Sequence, residues 1–251
     1  MKEFNTMENA KHYREDVKEV VDSFHKKVSA NRRYASYDFC YGYFQTHRHH
    51  LVENMELSCL HLWAYLASWG MLRGSSLLLK ECSMKVLSNV ITYLDGLPES
   101  IWSIDVPKYK NKGVKRNISN IYNELQKKIR DIKFEDMNKH VSATTTLVTK
   151  IMLGTLGCVP ALDQNFVIAF KKEFDESGCN FSELNEDVLN CIYDFYNDNR
   201  DLLHPALYRV IGFNGKPTMK LQYKFAKLID MYGFNIGSII QGQKKINKIS
   251  K

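Results

Sequence analysis

Glu53-Asn-Met-Glu-Leu-Ser-Cys-Leu-His-Leu-Trp-Ala-Tyr-Leu-Ala-Ser-Trp-Gly-Met71 is the stretch whose pattern decides the fold. Leu57, Leu60, Leu62, Trp63, Tyr65, Leu66 and Trp69 recur at helical spacing and go nearly all round the helix they imply. Such a helix has no face to give to water, so it is expected at the centre of the molecule. Two glycines, Gly70 and Gly74, and two cap-forming serines, Ser75 and Ser76, then mark a tight turn into a second helix over 77–94. That helix stops at Asp95-Gly96-Leu97-Pro98.

The same period extends outward in both directions. Val17, Val20, Val21, Phe24 and Val28 make one apolar side of an amphipathic helix over 8–30, and another helix follows at 37–47. Further helices are expected at 114–132, 142–153, 162–174, 182–203 and 217–232, with a frayed basic tail from Lys244. The alternation of half-buried strands is scarce. The fold class expected is therefore all-α, one compact domain over 1–251 with about ten helices. The loop at 107–116 is the place where two helical lobes would meet, because its charge, Gly and Pro content should keep it out of the core.

The chain's apolar fraction of 44% and charged fraction of 25% are those of an ordinary globular protein, which excludes collagen-like, low-complexity and disordered classes. Six cysteines at wide spacing contain no CxxC pair, so they read as small core residues rather than zinc ligands or a redox dithiol. No apolar leader opens the chain and no apolar run approaches the ~20 residues of a membrane span, which together point to a reducing cytoplasm.

Charge is not evenly spread. Residues 107–172 carry 13 basic and 5 acidic side chains, against 12 and 13 before them and 10 and 10 after. The whole positive excess sits in this central quarter, and an acid-rich stretch at 173–201 follows it. A chain polarised in this way suits a polyanionic partner. Lys108, Lys110, Lys112, Lys115 and Arg116 crowd one short loop around Tyr109. Phosphate neutralisation by such a cluster needs no base reading, so the five are candidate nucleic-acid contacts. Arg73, in the Gly70–Gly74 turn at a helix start, is a sixth. His47, His49, His50 and His61 lack the fixed spacing of a metal motif, and no metal or cofactor is expected.

Val141 to Phe166 carries the clearest candidate for chemistry. Leu147, Val148, Ile151 and Met152 form a buried stripe that turns Lys150 towards solvent or ligand. Gly154 and Gly157 end that helix, and Pro160 sets up the next, so Asp163 falls in its first turn, either as a carboxylate poised for chemistry or simply as a cap. A lysine late on one helix, a short Gly-containing connection, a Val-Pro step and an aspartate opening the following helix resemble the core of helix-hairpin-helix DNA glycosylases. The resemblance covers about 25 residues, and the segments at 69–76 and 156–163 are also similar to uncharacterised, mainly bacterial proteins. It implies that Lys150 is the amine that attacks the sugar C1′ and Asp163 the carboxylate that assists it. The expected function is thus nucleic-acid binding, DNA ahead of RNA, with cleavage of the glycosidic bond of a flipped base. The alternative is a non-catalytic helical module that docks onto partner proteins, as in a bacterial or phage-defence assembly.

Overall fold

A computed structural model describes residues 17–74, 76–133, 140–174 and 178–249, the last six of these by their backbone. Helix dominates, as the apolar period implies. Helix α1 covers 17–25, followed by α2 (Ala35–His47), α3 (Met55–Ser68), α4 (Leu77–Glu81), α5 (Ser88–Asp95), α6 (Glu99–Trp102), α7 (Lys112–Arg130), α8 (Thr145–Thr155), α9 (Gln164–Glu173) and α10 (Glu186–Asn199). A hairpin of β1 (Arg209–Ile211) and β2 (Pro217–Gln222) then leads into the last helix, α11 (Phe225–Ile249). The residues before 17, expected to open the first helix, lie outside the described residues, as do Ser75 and the side chains of the tail from Lys244.

The central helix is α8, not α3. Every residue of α8 from Leu147 to Thr155 is buried, Lys150 included. Helix α3 buries Ser58, Cys59, Leu62, Tyr65 and Leu66 but leaves Leu57 and Leu60 half in water. An apolar circumference permits central burial without compelling it, and α8 takes the centre because α2, α3 and α7 all pack on it. The closest approach comes at Gly154, where a Cβ would lie 2.4 Å from the Tyr65 ring.

Three further expectations are corrected. The helix over 77–94 is broken at Cys82 and Ser83, whose extended backbones redirect the chain so that Leu78 and then Leu87, Val90, Ile91 and Leu94 all reach the core. Residues 217–222 form a strand, with Arg209 opposite Gln222 and Ile211 opposite Pro217, around a turn in which Gly215 has φ +76°. The Asn214-Gly215 pair is a hairpin signal that helical periodicity passes over. The final helix consequently starts eight residues later and runs through the expected basic tail.

The 107–116 segment also departs from a solvated loop. Tyr109 is buried and donates its hydroxyl to the Cys158 carbonyl. Next to it, Asp105 accepts from the backbone N–H groups of Val106, Phe225 and Ala226 at 2.8, 2.9 and 3.1 Å, which caps α11. Lys224 donates to the carbonyls of Trp102, Leu156 and Ile104 at 2.6, 2.7 and 3.0 Å. Burial pushes the Asp105 carboxyl up and the Lys224 amine down from their ordinary values, and each group's charge opposes the shift of the other. The buried apolar residues before and after this segment belong to one hydrophobic cluster.

Candidate functional site

Asp163 is placed by threonines. Thr146 donates its hydroxyl to the Leu162 carbonyl at 2.9 Å, and Thr149 accepts from the Leu162 N–H at the same distance. Leu162 is thereby clamped along α8, and the next residue must emerge opposite Lys150. The connection between the helices needs Gly157, which sits at φ +61° with the Tyr41 ring 2.7 Å from where a Cβ would be.

Lys150 Nζ lies 2.9 Å from Asp163 Oδ2, and the lysine side chain is 3% exposed. The other carboxylate oxygen accepts from the Phe166 N–H at 3.0 Å, so Asp163 is also the N-cap of α9. The amine stands 4.8 Å from the Trp69 ring centroid. Lys150 is therefore not turned away from a buried stripe, since α8 has no exposed side. Its Nζ is met by a carboxylate and an aromatic face rather than by bulk solvent.

The pair forms part of the wall of a cleft of about 880 Å³. Arg73, exposed on the turn after α3, lines the same cleft and has no ion pair among the described residues. Ser142, Thr144 and Thr146 bring the start of α8 to the cleft, and Gln164 and Asn165 bring the start of α9. Two helix N-termini thus reach the space that Lys150 and Arg73 border, each capped by its own side chain: Thr144 accepts from the Leu147 N–H at 3.2 Å and Asp163 from the Phe166 N–H at 3.0 Å. Among the described residues of the wall two cations stand against one carboxylate, and His140 lines the cleft with them.

Three of the candidate residues, Lys150, Asp163 and Arg73, are thus brought together, and the five of the basic loop are not. The contacts of α7 with the rim of α8 come at Tyr122 and Gln126, which bond Thr145 and the Ala143 carbonyl. Lys112 opens α7 ten residues earlier, which at 1.5 Å per residue is about 15 Å along the axis. Lys108 donates to the Ser103 carbonyl and hydroxyl. Lys115 is engaged by Glu186 at 2.6 Å and Asn190 at 2.9 Å, so part of the basic segment is met by the acid-rich segment of the same chain. Lys110, Lys112 and Arg116 are exposed.

Aromatic side chains that could stack on a base are mostly taken up by packing: Tyr37, Tyr41, Trp102 and Tyr109 are core residues. Tyr34 is half-buried. Trp69 is the aromatic on the cleft wall, and the sequence offered it only as a core residue. Its Nε1 is buried without a hydrogen-bond partner among the described residues. Among the described residues no group of three His, Cys, Asp or Glu is arranged to hold a metal, and no helix is long and apolar enough to cross a membrane. Compared with family models, curated proteins and solved structures, the chain matches none.

Proposed function

We propose that the chain is a nucleic-acid-binding protein whose cleft takes one extruded nucleotide and cleaves its glycosidic bond. The observation that supports this reading is the Lys150–Asp163 contact of 2.9 Å at the wall of a cleft that Arg73 also lines. Arg73 and the N–H groups opening α8 and α9 hold the phosphate. Asp163 Oδ2 accepts a proton from Lys150 Nζ, whose lone pair attacks C1′. The bond from C1′ to the base breaks and the base leaves with its electron pair; the nitrogen lone pair then forms the C1′=N imine as the C1′–O4′ bond breaks, and the two protons given up by Lys150 Nζ, the first by way of Asp163, end on the base and on O4′.

The test uses DNA carrying normal and modified bases. The chain should raise alkali-labile abasic sites in one of these substrates, and borohydride should reduce the imine to a covalent protein–DNA complex. Lys150→Ala should lose the complex while still binding DNA. A second reading, the helical interaction module, is favoured by the saturation of the pair: Asp163 caps α9 and Lys150 sits between Asp163 and Trp69. On that reading no substrate gains abasic sites, and Asp163→Asn, which also caps well, changes stability by only a few tenths of a kcal/mol.

A further inference from the structure

The hairpin carries an apolar surface of its own. Phe213 and Met219 are 89% and 92% exposed, the most exposed large apolar side chains among the described residues. Beside them lies a groove of about 300 Å³, walled by Phe39 and Tyr43 of α2, His61 of α3, and Val210 and Leu221 of the hairpin. Phe213 forms one rim, with its ring centroid 5.5 Å from that of Phe39. Leu57, one turn before His61, and Leu60 continue the apolar surface along α3, each about half exposed. Knob and groove are held in fixed relation, because Asp38 accepts from the Ile211 N–H at 2.9 Å and a Cβ on Gly42 would lie 3.3 Å from Val210 Cγ1. Little order is then lost when the surface is covered.

Charge follows the same division. No acidic residue stands between Asp201 and Asp230 in the chain, and Arg209, Lys216 and Lys220 are exposed on the hairpin. Glu53 and Glu56 are exposed at the start of α3, where Glu53 meets His50 and Glu56 has no ion pair among the described residues. A nucleic acid on this surface would be repelled by those carboxylates. A surface that holds both a knob and a groove, and both a cationic and an anionic side, matches itself under a two-fold rotation. We infer that the hairpin and α3 form the interface of a two-fold homodimer, in which each copy's Phe213 enters the other's groove and its hairpin cations face the other's α3 carboxylates. Two Phe knobs bury about 300–500 Å² between them, well short of a standard interface, so the dimer forms reversibly and its population depends on concentration.

Sedimentation of the full chain from ~1 µM to ~1 mM reads the assembly. The parent should pass from monomer to dimer mass within this range, and Phe213→Asp should stay monomeric throughout. Charge reversal tests the pairing. Lys216→Glu with Lys220→Glu in one variant, and Glu53→Lys with Glu56→Lys in another, should each lose the dimer. An equal mixture of the two should regain it, because hairpin and α3 are again of opposite sign at both contacts. All five side chains are exposed, so each variant should keep the parent's thermal midpoint. The inference is overturned if the parent stays monomeric at ~1 mM, if Phe213→Asp dimerises as the parent does, or if the mixture stays monomeric. A monomeric parent whose DNA affinity falls on Phe213→Asp would overturn it in favour of nucleic acid on the hairpin.

Discussion

Single carboxylates carry much of this architecture, and Asp38 is the one whose proton can be read. It accepts from the Ile211 N–H at 2.9 Å and from the Tyr223 hydroxyl at 2.8 Å, which ties the hairpin to α2. Burial pushes its carboxyl from the ordinary 3.8 up to about 6, against the lowering effect of those hydrogen bonds and of Lys227. The folded chain therefore holds this proton more tightly than the unfolded chain does. The stabilisation from Asp38 is complete below pH 3.8, falls as pH rises towards 6 and is flat above it. Asn cannot lose that proton. Urea unfolding of Asp38→Asn and the parent at pH 4, 5, 6 and 7 should show the variant gaining on the parent across this window, by at most about 3 kcal/mol. A difference that stays constant with pH would show that Asp38 does not titrate there.

At the scale of elements, the start of α9 is set by α11 as well as by the threonines of α8. A Cβ on Gly237 would lie 1.9 Å from the Asn165 carbonyl oxygen, and one on Gly233 would lie 2.5 Å from the Phe166 ring. Gln241, one turn beyond Gly237, donates to the Asn165 side chain at 2.8 Å. Ala is the better helix former by about 1 kcal/mol, but overpacking against backbone costs about 1–3 kcal/mol and the carbonyl cannot swing away as a side chain would. Gly237→Ala should therefore lower the thermal midpoint. Gly242→Ala, in the same helix with nothing within 4 Å of the new methyl, should raise it. Equal shifts in the two variants would mean that α9 and α11 are not in contact here. The Gly233-x-x-x-Gly237 spacing was present in the sequence, yet only the crossing of the helices gives it meaning.

Across the whole molecule, the candidate cations divide between two places that are set apart. The cleft has Arg73 and Lys150, whereas the basic segment lies towards the far end of α7, where Glu186 holds Lys115. Lys108, Lys110, Lys112 and Arg116 are exposed and without an ion pair among the described residues, and of these Lys108 is tied to Ser103. Replacing Lys110, Lys112 and Arg116 by Gln should leave the thermal midpoint unchanged, since exposed charges away from packed features count for little. If the segment contacts the phosphates beside an extruded nucleotide, the variant should bind every DNA sequence more weakly and flatten the salt dependence by up to about three counterions. Identical salt titrations of variant and parent would remove the basic segment from the interface.

The sequence by itself determined the helical class and most of the helices, because a 3.6-residue apolar period and its caps are local properties of the chain. It also singled out Lys150, Asp163 and Arg73, whose types and neighbours are visible in one dimension. Only the tertiary structure decided that α8 rather than α3 is central, since apolar content says which faces can be buried and packing partners say which are. The clamp of Leu162 by Thr146 and Thr149, the Trp69 wall and the Asp105–Lys224 joint likewise depend on segments far apart in the chain, whose meeting no local pattern records.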